Sequence, residues 1–82
     1  MTEYKALLKA IGVLGGQTAT AIELNKRMTL ERPLTQSHVY KWLNGGKRLP
    51  EKYAMHVEAA TREKGDVVHA YQLCPVSFPK SA

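Results

Sequence analysis

Few of the residues that support disulfides, membrane insertion or secretion are present in this sequence. Cys74 is its only cysteine, so no intramolecular disulfide can form and a reducing compartment is expected. No uncharged apolar run approaches the roughly 18 residues of a membrane-spanning helix. The N-terminal MTEYKALLKA also lacks the apolar core of a signal peptide. These absences predict a cytoplasmic protein that does not contact a membrane.

Groups of residues that bind metals or catalyse reactions are missing as well. The three histidines and Cys74 show no zinc-finger, HExxH or CxxC spacing, so neither a metal nor another cofactor is expected. The chain of 82 residues allows one domain with a small core and little room for a closed pocket. Ser37 and His38 are neighbours, but adjacent positions of a helix point about 100° apart and do not pair easily as nucleophile and base. The sequence therefore predicts a protein that is not an enzyme.

Positive charge is concentrated in the middle of the chain. The formal net charge is +5, and residues 26–48 carry six Lys or Arg against one Glu, so the remainder of the chain is balanced. Such asymmetry favours an anionic partner, with nucleic acid before an acidic membrane surface. A basic stretch that serves only solubility is the alternative.

Apolar residues at the helical period predict a helix at the start of the chain. They stand at i, i+3, i+4, i+7 and i+10. This stripe consists of Tyr4, Leu7, Leu8, Ile11 and Leu14. Thr2 is the expected N-cap, and Gly15-Gly16 is the expected end, because glycine readily takes the left-handed backbone of a helix terminus.

A second helix is predicted from Gln17 to about Arg27 or Met28, with Ala19, Ile22 and Met28 facing inward. The small Ala21 is expected to let another helix approach closely. Residues 29–33 should form a connector, because Pro33 disfavours helical backbone at the residue before it. The sequence therefore predicts a break in the chain before the third helix.

Two further helices and a tail complete the predicted fold. Thr35 should cap a third helix that Gly45-Gly46 stops, and a fourth should run from Pro50 to Gly65. Residues 67–73 combine β-branched residues with a loose alternation, which predicts a short strand or extended segment. The expected fold is a compact all-α domain of four to five helices, of helix-turn-helix type, with a short extended C-terminal segment.

The stretch LTQSHVYKWLNGG, residues 34–46, has two different faces when it is drawn as a helix. Val39, Trp42 and Leu43 cluster on the inner face. The outer residues are Gln36, Ser37, His38, Tyr40, Lys41 and Asn44. They include no carboxylate, whereas a helix that is only solvated usually carries Glu or Asp for i,i+4 ion pairs. The pattern therefore predicts a helix that meets phosphates and base edges in DNA.

The predicted DNA contacts fall into two groups. Base edges in the major groove are assigned to Gln36, Ser37, His38, Tyr40 and Lys41. The DNA backbone is assigned to Gln17, Thr18, Lys26, Arg27, Asn44, Lys47 and Arg48. Gln17 and Thr18 stand at a predicted helix N-terminus, where free backbone N–H groups attract a phosphate. For Gln17, a simple helix cap is the alternative.

Three motifs in order, GGQTATA, HVYKWLNGG and LPEKY, resemble the Cro and YdaS-like family of phage-type helix-turn-helix regulators, in the lambda-repressor-like class. The resemblance covers about residues 5–79 and implies that Gln36 contacts bases and that Val39 is buried. It also implies a phage or prophage Cro-type repressor in the cytoplasm of a bacterial host cell. The chain departs from the family in NKRMTLERP, a lengthened connector before the recognition helix, and in Leu73-Cys74-Pro75, where the family more often has a basic residue before the proline.

A homodimer on a double-stranded DNA operator is the expected active form, because two recognition helices about 34 Å apart fit successive major grooves. Residues 67–82, the C-terminal tail, are the candidate dimerisation segment, and packing of the tail on its own core is the alternative. YdaS-like proteins have been described as antitoxins, so a toxin protein is the alternative partner. A module that binds an acidic protein is a third hypothesis. DNA binding should weaken steeply with salt, which separates it from the others.

Overall fold

The chain folds into five α-helices in the computed structural model, which describes residues 2–79. The helices are α1 (Glu3–Leu14), α2 (Gln17–Arg27), α3 (Gln36–Lys41), α4 (Ala54–Glu63) and α5 (Ala70–Leu73). Within the described range there is no strand, and no helix is long and apolar enough to cross a bilayer. The predicted all-α fold of four to five helices is confirmed. Residues 80–82, the end of the predicted tail segment, lie outside the described residues.

Helix α1 begins and ends where the sequence predicts. The Thr2 hydroxyl accepts a hydrogen bond from the backbone N–H of Lys5 at 3.1 Å, and Gly15 closes the helix in the left-handed conformation at φ 101°. The predicted apolar stripe is only partly right, because Tyr4 and Leu8 are 38% and 44% exposed. The buried side is completed instead by Ala6 and Ala10, whose small side chains allow neighbouring elements to approach closely.

Helix α2 has the predicted limits but a different buried face. Ile22 is 49% exposed, so the prediction that it faces inward is wrong. Thr20, Ala21 and Leu24 are buried instead. Burial of the polar Thr20 is possible because its hydroxyl donates to the carbonyl of Gly16 at 2.8 Å, which satisfies the group inside the helix.

One hydrophobic core receives side chains from every helix and from the loop before α4. Its largest fully buried apolar members are Leu7, Leu24, Val39, Leu49, Val57, Val68 and Leu73. Because α3 contributes Val39 to this core, its position is tied to the body of the domain. Gly65, in the left-handed conformation at φ 85°, follows α4 as predicted. The predicted start of this helix at Pro50 is wrong, because Glu51–Tyr53 form a 3₁₀ turn and α4 begins at Ala54.

The described part of the C-terminal tail, residues 67–79, contains one short helix and no strand, so the strand predicted near residues 67–73 is wrong. Helix α5 occupies Ala70–Leu73, and extended backbone is found at His69 just before it. Two hydrogen bonds to α4 hold this segment: Glu58 accepts from the Ala70 N–H at 2.6 Å, and Thr61 accepts from the Val68 N–H at 2.9 Å. The Glu58 carboxylate also lies 3.8 Å from the His69 ring. Val68 and Leu73 are fully buried, so much of the tail packs on its own core.

The connector between α2 and α3, residues 28–35, returns to the helix that it leaves. The side chain of Asn25 donates to the carbonyl of Leu34 at 2.9 Å and accepts from the N–H of Leu34 at 2.8 Å. Met28 and Leu30 pack against the core, whereas residues 31–33 are exposed. The lengthened connector is therefore a loop whose ends are joined by the hydrogen bonds between Asn25 and Leu34.

Candidate nucleic-acid interface

The start of α3 is fixed by a cap in which Thr35 and His38 take part. The ring nitrogen Nδ1 of His38 accepts a hydrogen bond from the backbone N–H of Thr35 at 3.0 Å, and the Thr35 hydroxyl lies 3.1 Å from the same nitrogen. The capping role predicted for Thr35 is confirmed. His38, predicted to read bases, has its Nδ1 directed at the cap, which leaves only Nε2 for a base edge.

Three apolar residues attach α3 and the turn after it to the domain. Val39 is fully buried and Leu43 is 8% exposed. Trp42 is half-buried, with its ring centroid 5.0 Å from that of the buried Tyr53. The inner face predicted for this stretch is therefore confirmed, and Trp42 packs on the core side of the helix.

The opposite face of α3 is exposed along its whole length. It comprises Gln36, Ser37, Tyr40 and Lys41, with the Tyr40 side chain 53% exposed. No Asp or Glu occurs between Glu31 and Glu51, a stretch that contains four Lys or Arg. This face can donate and accept hydrogen bonds and carries positive charge, with no carboxylate on α3 to repel a phosphate.

The first residues of α2 and α3 are brought together. The side-chain nitrogen of Gln36 donates a hydrogen bond to the side-chain oxygen of Gln17. Thr18 is exposed beside Gln17 in the first turn of α2, and the N-cap of this helix is Gly16, which offers no side chain to the helix N–H groups. The two amides and the open N-terminus of α2 thus form one continuous polar surface with the outer face of α3.

The end of the stretch 34–46 differs from the prediction. Gly45 and Gly46 do not stop the helix but belong to a π-helical turn, Trp42–Gly46, and Lys47 ends it in the left-handed conformation at φ 57°. The Asn44 side chain donates to the carbonyl of Tyr40 at 3.0 Å. Asn44 and Lys47 are exposed, and Asn44 keeps one N–H and its oxygen for a further partner.

Two predicted backbone contacts, Lys26 and Arg27, lie at the other end of α2. A helix rises 1.5 Å per residue, so they stand about 15 Å along the axis from Gln17. Arg27 pairs with Glu63 at 2.6 Å and with Glu23 at 3.6 Å, and its side chain is only 21% exposed. Lys26 lies 3.8 Å from Glu23. Arg27 therefore joins α2 to α4, and the structure does not bring this pair together with the face of α3.

Arg48, also predicted to contact the DNA backbone, is exposed and has acidic neighbours. It lines a cleft of about 410 Å³ together with the carboxylates Glu3 and Glu51 and the buried Cys74. Burial raises the pKa of the Cys74 thiol, which donates a hydrogen bond to the carbonyl of Leu49 at 3.2 Å. Two carboxylates near Arg48 oppose the approach of a phosphate, so this residue is a weaker candidate for the DNA backbone than Lys47.

Asn25, which holds the connector beside the start of α3, is not among the residues predicted from the sequence. Nothing in the sequence marks an asparagine inside a predicted helix for this role, because its partner is a backbone group nine residues away. Within residues 2–79, no three His, Cys, Asp or Glu side chains are grouped so that they could hold a metal ion.

Comparison of the chain with protein-family models, curated proteins and solved structures finds no match. The resemblance to the Cro and YdaS-like family stays a prediction. The function has to follow from the geometry of the surface formed by Gln17, Thr18 and the outer face of α3.

Proposed function

We propose that the chain is a sequence-specific regulator that binds double-stranded DNA, with α3 in the major groove. The observation that carries this proposal is the exposed, acid-free face of α3 joined at its N-terminus to Gln17. A helix about 10–12 Å across fits the width of the major groove, and its outer side chains then face the base edges.

The outer residues divide between bases and phosphates. Gln36, Ser37 and Lys41 stand on the exposed side of α3, where an amide, a hydroxyl and a cation can bond base acceptors and donors. Gln17 and Thr18 are placed for a phosphate at the open N-terminus of α2. The phosphate contacts would set affinity and register, and the base contacts would set sequence preference.

A homodimer is the form of this regulator that we propose binds an operator. The longest dimension of the domain is 36 Å, close to the length of about 34 Å in one turn of DNA. Two copies of this size have room side by side on one face of the duplex, and we propose that they present α3 to successive major grooves. The operator would then be palindromic, with half-sites about 10 base pairs apart.

Selection of binding sites from a random duplex library by the purified protein tests this function. We expect one enriched palindromic sequence, and an affinity that falls by a factor of about 10³ or more between 50 and 200 mM salt if six or more phosphates are contacted. A library that shows no enrichment, together with no salt-dependent binding to any duplex, would contradict the proposal. Lys64→Ala is a suitable control for the loss of a lysine, because this exposed residue follows α4 and lies outside the proposed surface. Its affinity and salt dependence should match those of the parent.

A further inference from the structure

A single side chain closes the lengthened connector. Asn25 lies in the second half of α2, and its amide makes two bonds with the backbone of Leu34, of 2.9 and 2.8 Å. Both backbone polar groups of Leu34 are thereby satisfied, and the Leu34 side chain is 7% exposed. Residues 26–33 therefore form a loop whose two ends are fixed to each other, and the position of Leu34 beside α2 does not depend on the conformation of this loop.

The position of the first turn of α3 depends on where Leu34 is held. The α-helical part has only six residues, too few for stability without tertiary contacts. Its buried anchors, Val39 and Leu43, lie in its second half and in the turn beyond. The first turn, which carries Gln36 and Ser37, is held from the domain side by the Leu34 segment and by the bond to Gln17.

The chemistry of the closure is specific to an asparagine. The side chain must donate to a carbonyl and accept from an N–H of the same residue, which requires an amide. Aspartate would keep the acceptor but lose the donor and place a charge against the Leu34 carbonyl. Alanine would leave both part-buried groups of Leu34 without their present partner.

We propose that Asn25 is a positioning residue for DNA recognition: by holding Leu34, it fixes the first turn of α3 relative to α2 and so sets the sequence preference of the protein. This inference rests on the proposed DNA-binding function. Asn25 acts through Gln36 and Ser37, which stand two and three residues beyond the segment that it holds. Residues 26–33, the segment between Asn25 and Leu34, need not contact DNA for this role.

The test compares binding of Asn25→Ala and Asn25→Asp to the selected site and to a scrambled duplex of equal length. Asn25→Ala should reduce the ratio of the two affinities by roughly 5- to 100-fold, which is the range that one misplaced base contact is worth. The affinity for the scrambled duplex should stay within about twofold, since the phosphate-binding cations are untouched. Asn25→Asp keeps the acceptor for the Leu34 N–H but sets a carboxylate oxygen against the Leu34 carbonyl, so it should reduce the ratio at least as far as Asn25→Ala does.

Thr61→Val is the matched control for lost stability. Thr61 also binds a loop backbone group, the Val68 N–H, but on the side of the domain formed by α4 and the tail. We expect Thr61→Val to lower the melting temperature and to keep the parent ratio of affinities. An unchanged ratio in Asn25→Ala, or an equal loss in Thr61→Val, would overturn the positioning role.

Hydrogen exchange keeps this inference separate from the function on which it rests. The Leu34 amide should exchange faster in Asn25→Ala than in the parent, whether or not DNA is present, and exchange at the parent rate would also overturn the inference. If the parent protein binds no duplex, the proposed function fails and the role in recognition fails with it. If the parent binds its site selectively and Asn25→Ala does so equally, only the role of Asn25 fails.

Discussion

The side-chain nitrogen of Gln36 donates a hydrogen bond to the side-chain oxygen of Gln17, and this bond links the first residue of α3 to the first residue of α2. The two residues are 19 positions apart in the sequence. In the proposed complex, one of them faces a base and the other a phosphate. A bond between them means that register on the backbone and orientation at the base edge are set together.

Gln36→Ala should reduce the preference for the selected site by about 1–3 kcal/mol, because the amide that can bond two atoms of one base is removed. The loss should be confined to one base pair of each half-site, and binding to a scrambled duplex should change little. Competition binding with single-base variants of the site measures both quantities. Retention of the parent preference at every position would mean that α3 does not read the DNA as we propose.

Replacement of Lys47 should weaken binding to all duplexes alike. Lys47→Ala and Lys47→Gly both remove one phosphate-binding cation from each subunit, so each should lower the salt dependence of binding by about two counterions per bound dimer. The two should differ in stability, because residue 47 has a φ of 57°, which glycine adopts without strain. We expect Lys47→Gly to unfold at a higher temperature than Lys47→Ala, with a free-energy difference of about 1 kcal/mol.

This pair of variants separates charge from backbone conformation at one position. Equal salt dependence in the parent and in both variants would remove Lys47 from the interface. Equal stability of the two variants would show that the left-handed backbone at residue 47 is not kept in solution.

Arg27→Met should lower the melting temperature without changing the salt dependence of DNA binding. The arginine donates to Glu63 and lies beside Glu23, so its charge is already compensated, and its side chain, 21% exposed, joins α2 to α4. Thermal unfolding and a salt titration of DNA affinity check the two parts. A reduced salt dependence in Arg27→Met would restore Arg27 as a phosphate contact, as the charge pattern alone predicts.

The ends of several helices could be predicted because local chemistry determines them. Thr2 and Thr35 cap helices through groups three residues away, and Gly15 and Gly65 take backbone conformations that few other residues accept. The inner face of residues 34–46 could also be predicted, since Val39 and Leu43 are four positions apart and therefore lie on the same side of a helix. Such signals need no knowledge of the rest of the fold.

What could not be predicted depends on contacts between distant parts of the chain. Ile22 is a larger apolar residue than Thr20, yet Thr20 is buried, because the direction of α2 is set by its neighbours and the threonine hydroxyl bonds within its own helix. The tail has β-branched residues, yet Glu58 provides an acceptor for the first N–H of α5 and makes a short helix possible. Arg27 appeared available to DNA because its partner Glu63 is 36 residues further along the chain.

Glu58 should make the stability of the domain sensitive to acid. The hydrogen bond from the Ala70 N–H, followed by that from Arg62, holds the pKa of Glu58 below its ordinary value of 4.5. Since the folded state keeps this carboxylate ionised to lower pH than the unfolded chain does, its contribution is complete above about pH 4.5 and is lost as the pH falls through the lowered folded-state pKa. Glu58→Gln should therefore lower the free energy of unfolding by about 1 kcal/mol at pH 7 and by progressively less below pH 4.5.

Thermal unfolding of Glu58→Gln between pH 7 and pH 3 checks this dependence, with Glu31→Gln as the control. Glu31 is an exposed carboxylate on the connector, so its replacement should leave the stability within about 0.5 kcal/mol of the parent at every pH. The gap between the parent and Glu58→Gln should narrow as the carboxylate of the parent becomes protonated. A gap that stays constant down to pH 3 would mean that the Ala70 N–H does not depend on an ionised partner, and α5 would then be held by Val68 and Leu73 in the core without help from the charge of Glu58.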